Sequence, residues 1–544
     1  MRGLMQDQPL LISQFIEYGG TVHGDVEVIS QTVEGPIHRY TWSDVRARSK
    51  QLANALTAMG VGLGSRIATL GWTNHRHLEA YYGVAGVGAI CHTLNPRLHP
   101  SDLVYILNHA EDRYVMLDLT FLPLIEAVAS QLESVEGYII MTDAEHMPST
   151  ELDNVLCYEQ LVESGSADYE WPRFDENTAA NLCYTSGTTG HPKGVLYSHR
   201  STVLHAYAAC MPGNIVGGRG ECMLAVVPMF HANGWGIPYS APMTGSKLVM
   251  PGQNLDGKSL TELMRDEGVT TSCGVPTVWL GLLDYWREHG LSVPTLRQIG
   301  IGGAAPARSM IERFEQDFGI QVLHGWGMTE MNPIGTVRTL SADERATLAP
   351  DDQIEALTTQ GAPVFGVEIK VVGEDGATLP NDGKSCGELM ARGPWICQCY
   401  FKHESPAVDA EGWFATGDIA VISEDMSMQI TDRAKDVIKS GGEWISSIDL
   451  ENAAMGHPDV AHAAVIGIPH EKWSERPLLV VVPANGVEPD KEDILKYLSD
   501  KVAKWWVPDD VVFESELPVG GTGKVQKTKL REKFAPLMAE RATG

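Results

Sequence analysis

Between Trp42 and Met59 the apolar residues Val45, Leu52, Leu56 and Met59 recur on one face of a 3.6-residue period. That spacing predicts an amphipathic helix, capped at Ser43 and stopped by Gly60. The segment that follows, SRIATLGW, reads as a strand. The same change of period repeats further on: KLVM precedes SLTELMRDEG, TSCGVP precedes TVWLGLLDYWREHG, and LRQIGIGG precedes ARSMIERFEQDFG. Short β-rich runs alternating with helices predict an α/β fold with largely parallel sheets. Two polar, acidic stretches, 142–154 and 341–360, interrupt the alternation and read as surface excursions or loops. Beyond them the pattern turns strand-rich, with VEIKVVG, CGELMARG and MQITDR. At DRAKDVIKSGGEW a glycine pair and charges follow a strand, which marks a boundary. After it a helix, the strands AAVIGIP and PLLVVVP, a second helix and a basic tail make a small α+β unit.

The chain has 544 residues, more than one hydrophobic core usually covers, so two or more domains are expected. A formal net charge of -29 argues against broad contact with nucleic acid or anionic lipid, because both need a basic surface. Any anionic ligand must therefore be met by local donors. The nine cysteines form no CxxC pair and no cluster at zinc spacing, and read as reduced, mostly packed thiols. No run approaches the roughly eighteen apolar residues of a spanning helix, and the N-terminus carries no small-residue cleavage site. A soluble cytoplasmic protein without integral membrane contact is the expectation.

The stretch YTSGTTGHPKGVLYSH, residues 184–199, packs three glycines, five Ser/Thr hydroxyls and one lysine between apolar segments. Small residues let backbone N–H groups approach an anion, hydroxyls add donors, and lysine adds charge. A flexible hairpin loop has the same composition, so both readings stand. The spacing is not that of a P-loop, since Pro192 stands five residues after Gly187 and Gly194 follows Lys193. GIGGAA, at 300–305, matches the dinucleotide pattern and precedes a helix opened by Pro306, which supports a nicotinamide oxidoreductase as the rival class. The next apolar run, IQVLHGWG, lacks the acidic residue that would bind ribose, so a glycine turn against a flat ring fits better. GKSCG, at 383–387, matches a nucleophile elbow in letters only, because a turn precedes it and a strand-like run follows.

YTSGTTGHPKG, HANGWG, HGWGMTE, WFATGD, DRAKDVIKSGGEW and GGTGKVQKTKLR occur together and in this order. As a set they resemble the signatures of the adenylate-forming superfamily, over nearly the whole chain. SGGEWISSIDLENA and HPDVAHAAVIGIPHEKWSERP are similar to bacterial medium-chain acyl-CoA synthetases. The resemblance implies a large multi-subdomain N-terminal domain, 1–432, with parallel sheets and a small β-barrel. A small mobile α+β domain, 433–544, would follow a hinge near 432–436, with Lys435 at the hinge position. It implies an ATP-dependent acyl-CoA ligase that uses Mg²⁺ and the cosubstrate CoA: a carboxylate attacks the ATP α-phosphate, then the thiol displaces AMP. A stand-alone adenylation enzyme for another acid is the alternative within the family. A homodimer is also implied.

Residue by residue, the resemblance places Thr185, Ser186, Gly187, Thr188, Thr189 and Lys193 on the β- and γ-phosphates. Glu330 would bind Mg²⁺ and Thr329 would reach the α-phosphate. Asp418 and Arg433 would take the ribose hydroxyls, and Gly302, Gly303 and Ala304 with His324, Gly325, Trp326 and Gly327 would form the adenine slot. Many relatives carry Tyr where Trp326 stands. Lys524 would bridge carboxylate and α-phosphate in the first half-reaction, and Lys439, Gly441, Gly442 and Glu443 would serve the CoA step. His231 replaces the Asp of amino-acid-activating relatives and, with Trp235 and Gly303, would border the acyl channel. A bulky indole there favours a short or medium acid, and the resemblance favours 3-methylmercaptopropionate. Taken singly, a surface glutamate, a solvated ion pair, a core histidine or an exposed tail lysine would be the ordinary readings. Arg476 and Lys472 are candidates for the CoA nucleotide, with surface roles as the simpler alternative. Met426 stands where relatives place a turn glycine, so a locally different turn is expected.

Overall fold

In the computed structural model of the protein the first predicted helix runs Trp42–Ala58, with Val45, Leu52 and Leu56 fully buried. Its cap is Thr41 rather than Ser43. Thr41 Oγ1 accepts from the Asp44 amide, and Asp44 Oδ2 accepts from the Thr41 amide at 2.9 Å, a reciprocal box that sets the cap two residues earlier. The structure describes the chain except residues 2, 186–190, 212, 214–216, 434, 441–442, 471–472, 485–486, 521–524 and 542–544, and the side chains of 443, 444 and 535–541.

The β–helix alternation builds two large sheets. A nine-stranded sheet runs, edge to edge, from Ala362–Pro363 through Ile334–Arg338, Gln321–Gly327, Gln298–Ile301, Thr271–Gly274, Cys222–Ala225, Lys247–Met250 and Glu27–Gln31 to Ile37–Thr41. Its strands from Gln321–Gly327 to Glu27–Gln31 are parallel. A seven-stranded sheet is parallel from Val155–Cys157 to Ala179–Thr185 and closes with the antiparallel Lys193–Ser198. Such strands bury both faces. Ile67, Met116 and Ile139 face a core shared by the two sheets around Trp42, Tyr81 and Tyr239, while Ala68, Val115 and Ile140 face a second core. Trp279, Trp286 and Phe314 anchor a third on the outer face of the nine-stranded sheet.

Three expectations are corrected. Residues 341–360 are not a loop but carry the helices Ala342–Thr347 and Pro350–Thr358, and Ile354 and Leu357 of the second are buried in the third core. The GIGGAA turn does not open a helix at Pro306: the short helix there is Arg308–Glu312, with Ala307 at its cap. Met426 takes the left-handed conformation after all, at φ 67°, and its amide donates to Ser423 O at 2.9 Å. The turn thus keeps the geometry a glycine would give it, at a cost of about 1 kcal/mol.

Strands Glu368–Val372, Gly387–Arg392, Phe414–Ile422 and Met428–Arg433 form a four-stranded antiparallel sheet. The small barrel is not confirmed, since the outer strands do not pair among the described residues; four strands are far fewer than the roughly eight that close around a filled interior. The remaining α+β unit has a five-stranded sheet, with Ser474–Pro483 between Val460–His470 and Asp510–Phe513. Its own apolar clusters lie on the two faces, one around Leu450, Leu479 and Ile494 and one around Ile466, Val480 and Leu530. Among the described residues no helix is long and apolar enough to cross a membrane.

Candidate active site

Parallel strands bring their carboxyl ends to one edge, where loops leave the sheet and ligands of α/β folds gather. Thr185 ends one central strand; Pro228–His231, Val275, Gly302–Gly303 and Gly327 follow or end four others. The residues singled out in the sequence are therefore neighbours because of strand order.

The hydroxyl-rich stretch is a β-hairpin. Tyr184 pairs with Gly194 and Thr185 with Lys193, which places Lys193 at the base of the tip. Ser186, Gly187, Thr188 and Thr189 lie outside the described residues. Gly194 is needed for a close approach: a Cβ there would stand 3.1 Å from both Phe401 Cβ and the Tyr184 ring. The Phe401 amide donates to Gly194 O at 2.8 Å, tying segment 397–401 to the hairpin.

Gly302 and Gly303 face the indole of Trp235. A Cβ on Gly302 would lie 2.9 Å from that ring and 3.1 Å from Gly325 O, and Gly303 has φ +78°. The flat ring against a glycine turn is thus present, and it comes from HANGWG. Trp235 sits in a run of positive φ values, from Ala232 at 33° to Gly236 at 76°, that turns the chain sharply after His231. His231 is half-buried, its ring 4.9 Å from that of Phe230. Val275 lies beside Gly303 and also lines a cavity of about 250 Å³ with Val226, Pro228, Leu255, Val278 and Gly281.

Trp326, 7% exposed, lies next to last in its strand, at a bulge before Gly327. Its Nε1 donates to Asp418 Oδ2 at 2.9 Å, which joins the nine-stranded sheet to the four-stranded one. Asp418 and Arg433 are directly opposite on adjacent strands, with Nε 2.8 Å from Oδ1. The carboxylate, 2% exposed, is therefore held by an indole on one oxygen and a guanidinium on the other. His324 is turned elsewhere: its Nδ1 meets Leu357 O at 3.2 Å and its Nε2 meets the Gln360 amide. Burial pushes its imidazole down to about 4, so the ring is neutral at physiological pH.

Thr329 and Glu330 form a single 3₁₀ turn after the extended Met328. The Tyr197 hydroxyl donates to Thr329 O, and the Cys397 amide donates to Glu330 O at 2.7 Å. Glu330 is 6% exposed; its Oε1 accepts from the Tyr400 hydroxyl at 2.8 Å. Among the described residues its Oε2 takes no hydrogen bond. The Lys193 ammonium lies 4.8 Å over the Tyr400 ring. Tyr197 and Tyr400 were missed in the sequence, where neither has periodicity or a charged neighbour to mark it.

In the α+β unit, Lys435 is exposed and Lys439 Nζ lies 3.9 Å from Glu374 of the four-stranded sheet. Gly441, Gly442 and Lys524 lie outside the described residues, as does the side chain of Glu443. Arg476 is a clamp, bonded to Asp509 Oδ1 and to the carbonyls of Trp505 and Val507. Lys527 is buried, its Nζ 2.7 Å from Glu451; burial pulls its pKa down, but Glu451 and Asp432 outweigh that and raise it.

Residues 20–401 match the family described as AMP-binding enzyme, and residues 449–524 the AMP-binding enzyme C-terminal domain. The chain is 48% identical over 534 residues to a 3-methylmercaptopropionyl-CoA ligase of Ruegeria lacuscaerulensis, covering 98% of this chain and 99% of that one. It is 46% identical over 538 residues to a medium-chain-fatty-acid–CoA ligase of Ectopseudomonas oleovorans, covering 99% and 98%. Its fold is that of an anthranilate CoA ligase solved with anthranoyl-AMP, with TM-score 0.86 at 24% identity over 98% of this chain and 100% of the other.

Proposed function

The chain belongs to the AMP-binding enzyme family and is an ATP-dependent, AMP-forming acid–thiol ligase, and from that premise we propose that it activates a short or medium-chain acid, 3-methylmercaptopropionate first among them. The observation that supports the placement of the chemistry is that Tyr400 joins Lys193 to Glu330, while Trp326, four residues before Glu330, is bonded to Asp418 of the Asp418–Arg433 pair.

In this reading the Asp418 carboxylate accepts from the ribose hydroxyls while Trp326 and Arg433 keep it fixed. The adenine lies between the Gly302–Ala304 backbone and Trp326, where missing side chains permit close approach. The hairpin amides and hydroxyls with Lys193 hold the β- and γ-phosphates, so their donors meet charge that grows on pyrophosphate as the bond to the α-phosphorus breaks. Glu330 offers a hard carboxylate oxygen, Oε2, as Mg²⁺ requires, and the ion would neutralise the phosphates when bound. Lys524 brings its ammonium between the acid's carboxylate and the α-phosphate, offsetting their repulsion and aligning attack. After pyrophosphate leaves, the C-terminal unit turns about Lys435, and the 439–443 loop lines the path of the CoA thiol, which attacks the acyl carbonyl and releases AMP. A homodimer is what the family resemblance implies and a cytoplasmic location is the expectation from the sequence; light scattering and fractionation test them.

A panel of carboxylic acids scored by AMP and thioester formation tests the assignment. The highest kcat/KM is expected between 3-methylmercaptopropionate and octanoate; an optimum on long-chain or amino acids would overturn it. The acyl tail is placed in the cavity beyond Val275. Gly281 is an exposed residue at the rim of that cavity and added atoms on it meet nothing within 4 Å, so a leucine is accommodated there and can narrow the entrance. Gly281→Leu is expected to lower kcat/KM for octanoate about tenfold more than for propionate, since one lost methylene contact is worth 10-fold or more. An unchanged chain-length profile would remove the tail from this cavity.

A further inference from the structure

Segment 397–401 carries no motif, yet it is pinned at both ends to the phosphate-handling parts: Cys397 N to Glu330 O at 2.7 Å, and Phe401 N to Gly194 O at 2.8 Å. Tyr400 lies between these two anchors. Its hydroxyl donates to Glu330 Oε1 and its ring face receives the Lys193 ammonium. One side chain thus touches both the carboxylate and the cation that the proposed function sets on the phosphates. We propose that Tyr400 is a positioning residue for the adenylation half-reaction, its hydroxyl aiming the Glu330 carboxylate and its ring seating Lys193 so that both meet ATP in register.

The chemistry favours this over mere packing. A glutamate has three side-chain torsions, and a hydrogen bond to one oxygen leaves the other pointed in a set direction, as outer-shell partners do for metal ligands. The ring offers the Lys193 ammonium a partner that carries no full negative charge, so Lys193 stays seated on it while its charge remains available to a phosphate. The proposal rests on Glu330 being the carboxylate for Mg²⁺.

Three full-length variants separate the parts. Tyr400→Phe keeps the ring and removes the hydroxyl, Tyr400→Leu removes both, and Glu330→Gln tests the underlying reading. Equilibrium binding of ATP is measured by calorimetry across a Mg²⁺ series and in EDTA, beside pyrophosphate release and thioester formation from supplied acyl-AMP. For Tyr400→Phe the Mg²⁺ concentration at half-saturation is expected to rise about tenfold, the loss typical of an outer-shell partner, with metal-free ATP binding unchanged. Tyr400→Leu should in addition weaken metal-free ATP binding about threefold, the loss of a weak cation–ring contact. The supplied acyl-AMP should be converted by both at near wild-type rates. If Glu330→Gln shifts the Mg²⁺ dependence but Tyr400→Phe does not, or if both half-reactions fall together, the positioning role is wrong. Should Glu330→Gln leave the Mg²⁺ dependence unmoved, the assignment of Glu330 fails instead, and the proposal with it.

Discussion

Lys524→Ala is expected to lower acyl-adenylate formation by about 10²- to 10³-fold, the range seen when one transition-state donor is removed, while thioester formation from supplied acyl-AMP is spared. An ammonium between two anions acts only while the carboxylate approaches the α-phosphate; once the adenylate exists, its task is over. The lysine three residues on provides the contrast. Lys527 is buried against Glu451 and Ser447, where it fastens the last helix, Lys527–Arg541, to Ser447–Met455. Lys527→Ala strands the Glu451 carboxylate in the interior and is expected to destabilise the fold by about 3 kcal/mol, hitting both half-reactions alike. Single-turnover rates for each half and a thermal melt distinguish the two lysines. Equal loss of both halves in Lys524→Ala, with an unchanged melt, would count against the exchange of catalytic duties between the two positions of the C-terminal unit.

Asp418→Ala is the second large effect. Its carboxylate joins three partners in the proposed complex, and two are protein groups: Trp326 from the nine-stranded sheet and Arg433 from the neighbouring strand. Removal leaves the buried Trp326 N–H without an acceptor, worth about 2 kcal/mol, while the partly exposed Arg433 rehydrates. The KM for ATP is expected to rise about 100-fold, equivalent to two lost charge-assisted hydrogen bonds. Asp418→Asn retains an oxygen that the indole N–H can reach, so it should recover most of the melting temperature but little of the ATP affinity. A variant that melts early yet keeps its KM for ATP would reduce Asp418 to a structural tie between sheets.

The hairpin and the glycine turn were legible because each depends on local residue chemistry: turn-forming small residues between two apolar runs, and glycines where a flat ring approaches closely. Even where local reading failed, the signal was sometimes present. Ser341 and Glu344 form a capping box, and Pro350 opens the next helix, but the acidic surroundings with only Ile354 and Leu357 to bury masked the periodicity. The thiols behave as read: the chain's nine cysteines are all free, five are buried, and burial pushes Cys222 and Cys273 to about 12.

Strand and helix alternation, the motif order and the family were determined by the amino-acid sequence alone, because period, turn chemistry and spacing act over a few residues at a time. The partners of the site's carboxylates were decided only by tertiary structure. Trp326 and Asp418 are 92 positions apart and Tyr400 and Glu330 70 apart. No local rule relates such residues. They meet because sheets pack face to face and parallel strands carry their ends to a common edge, and the geometry of that packing selects which hydroxyl or indole finds which carboxylate.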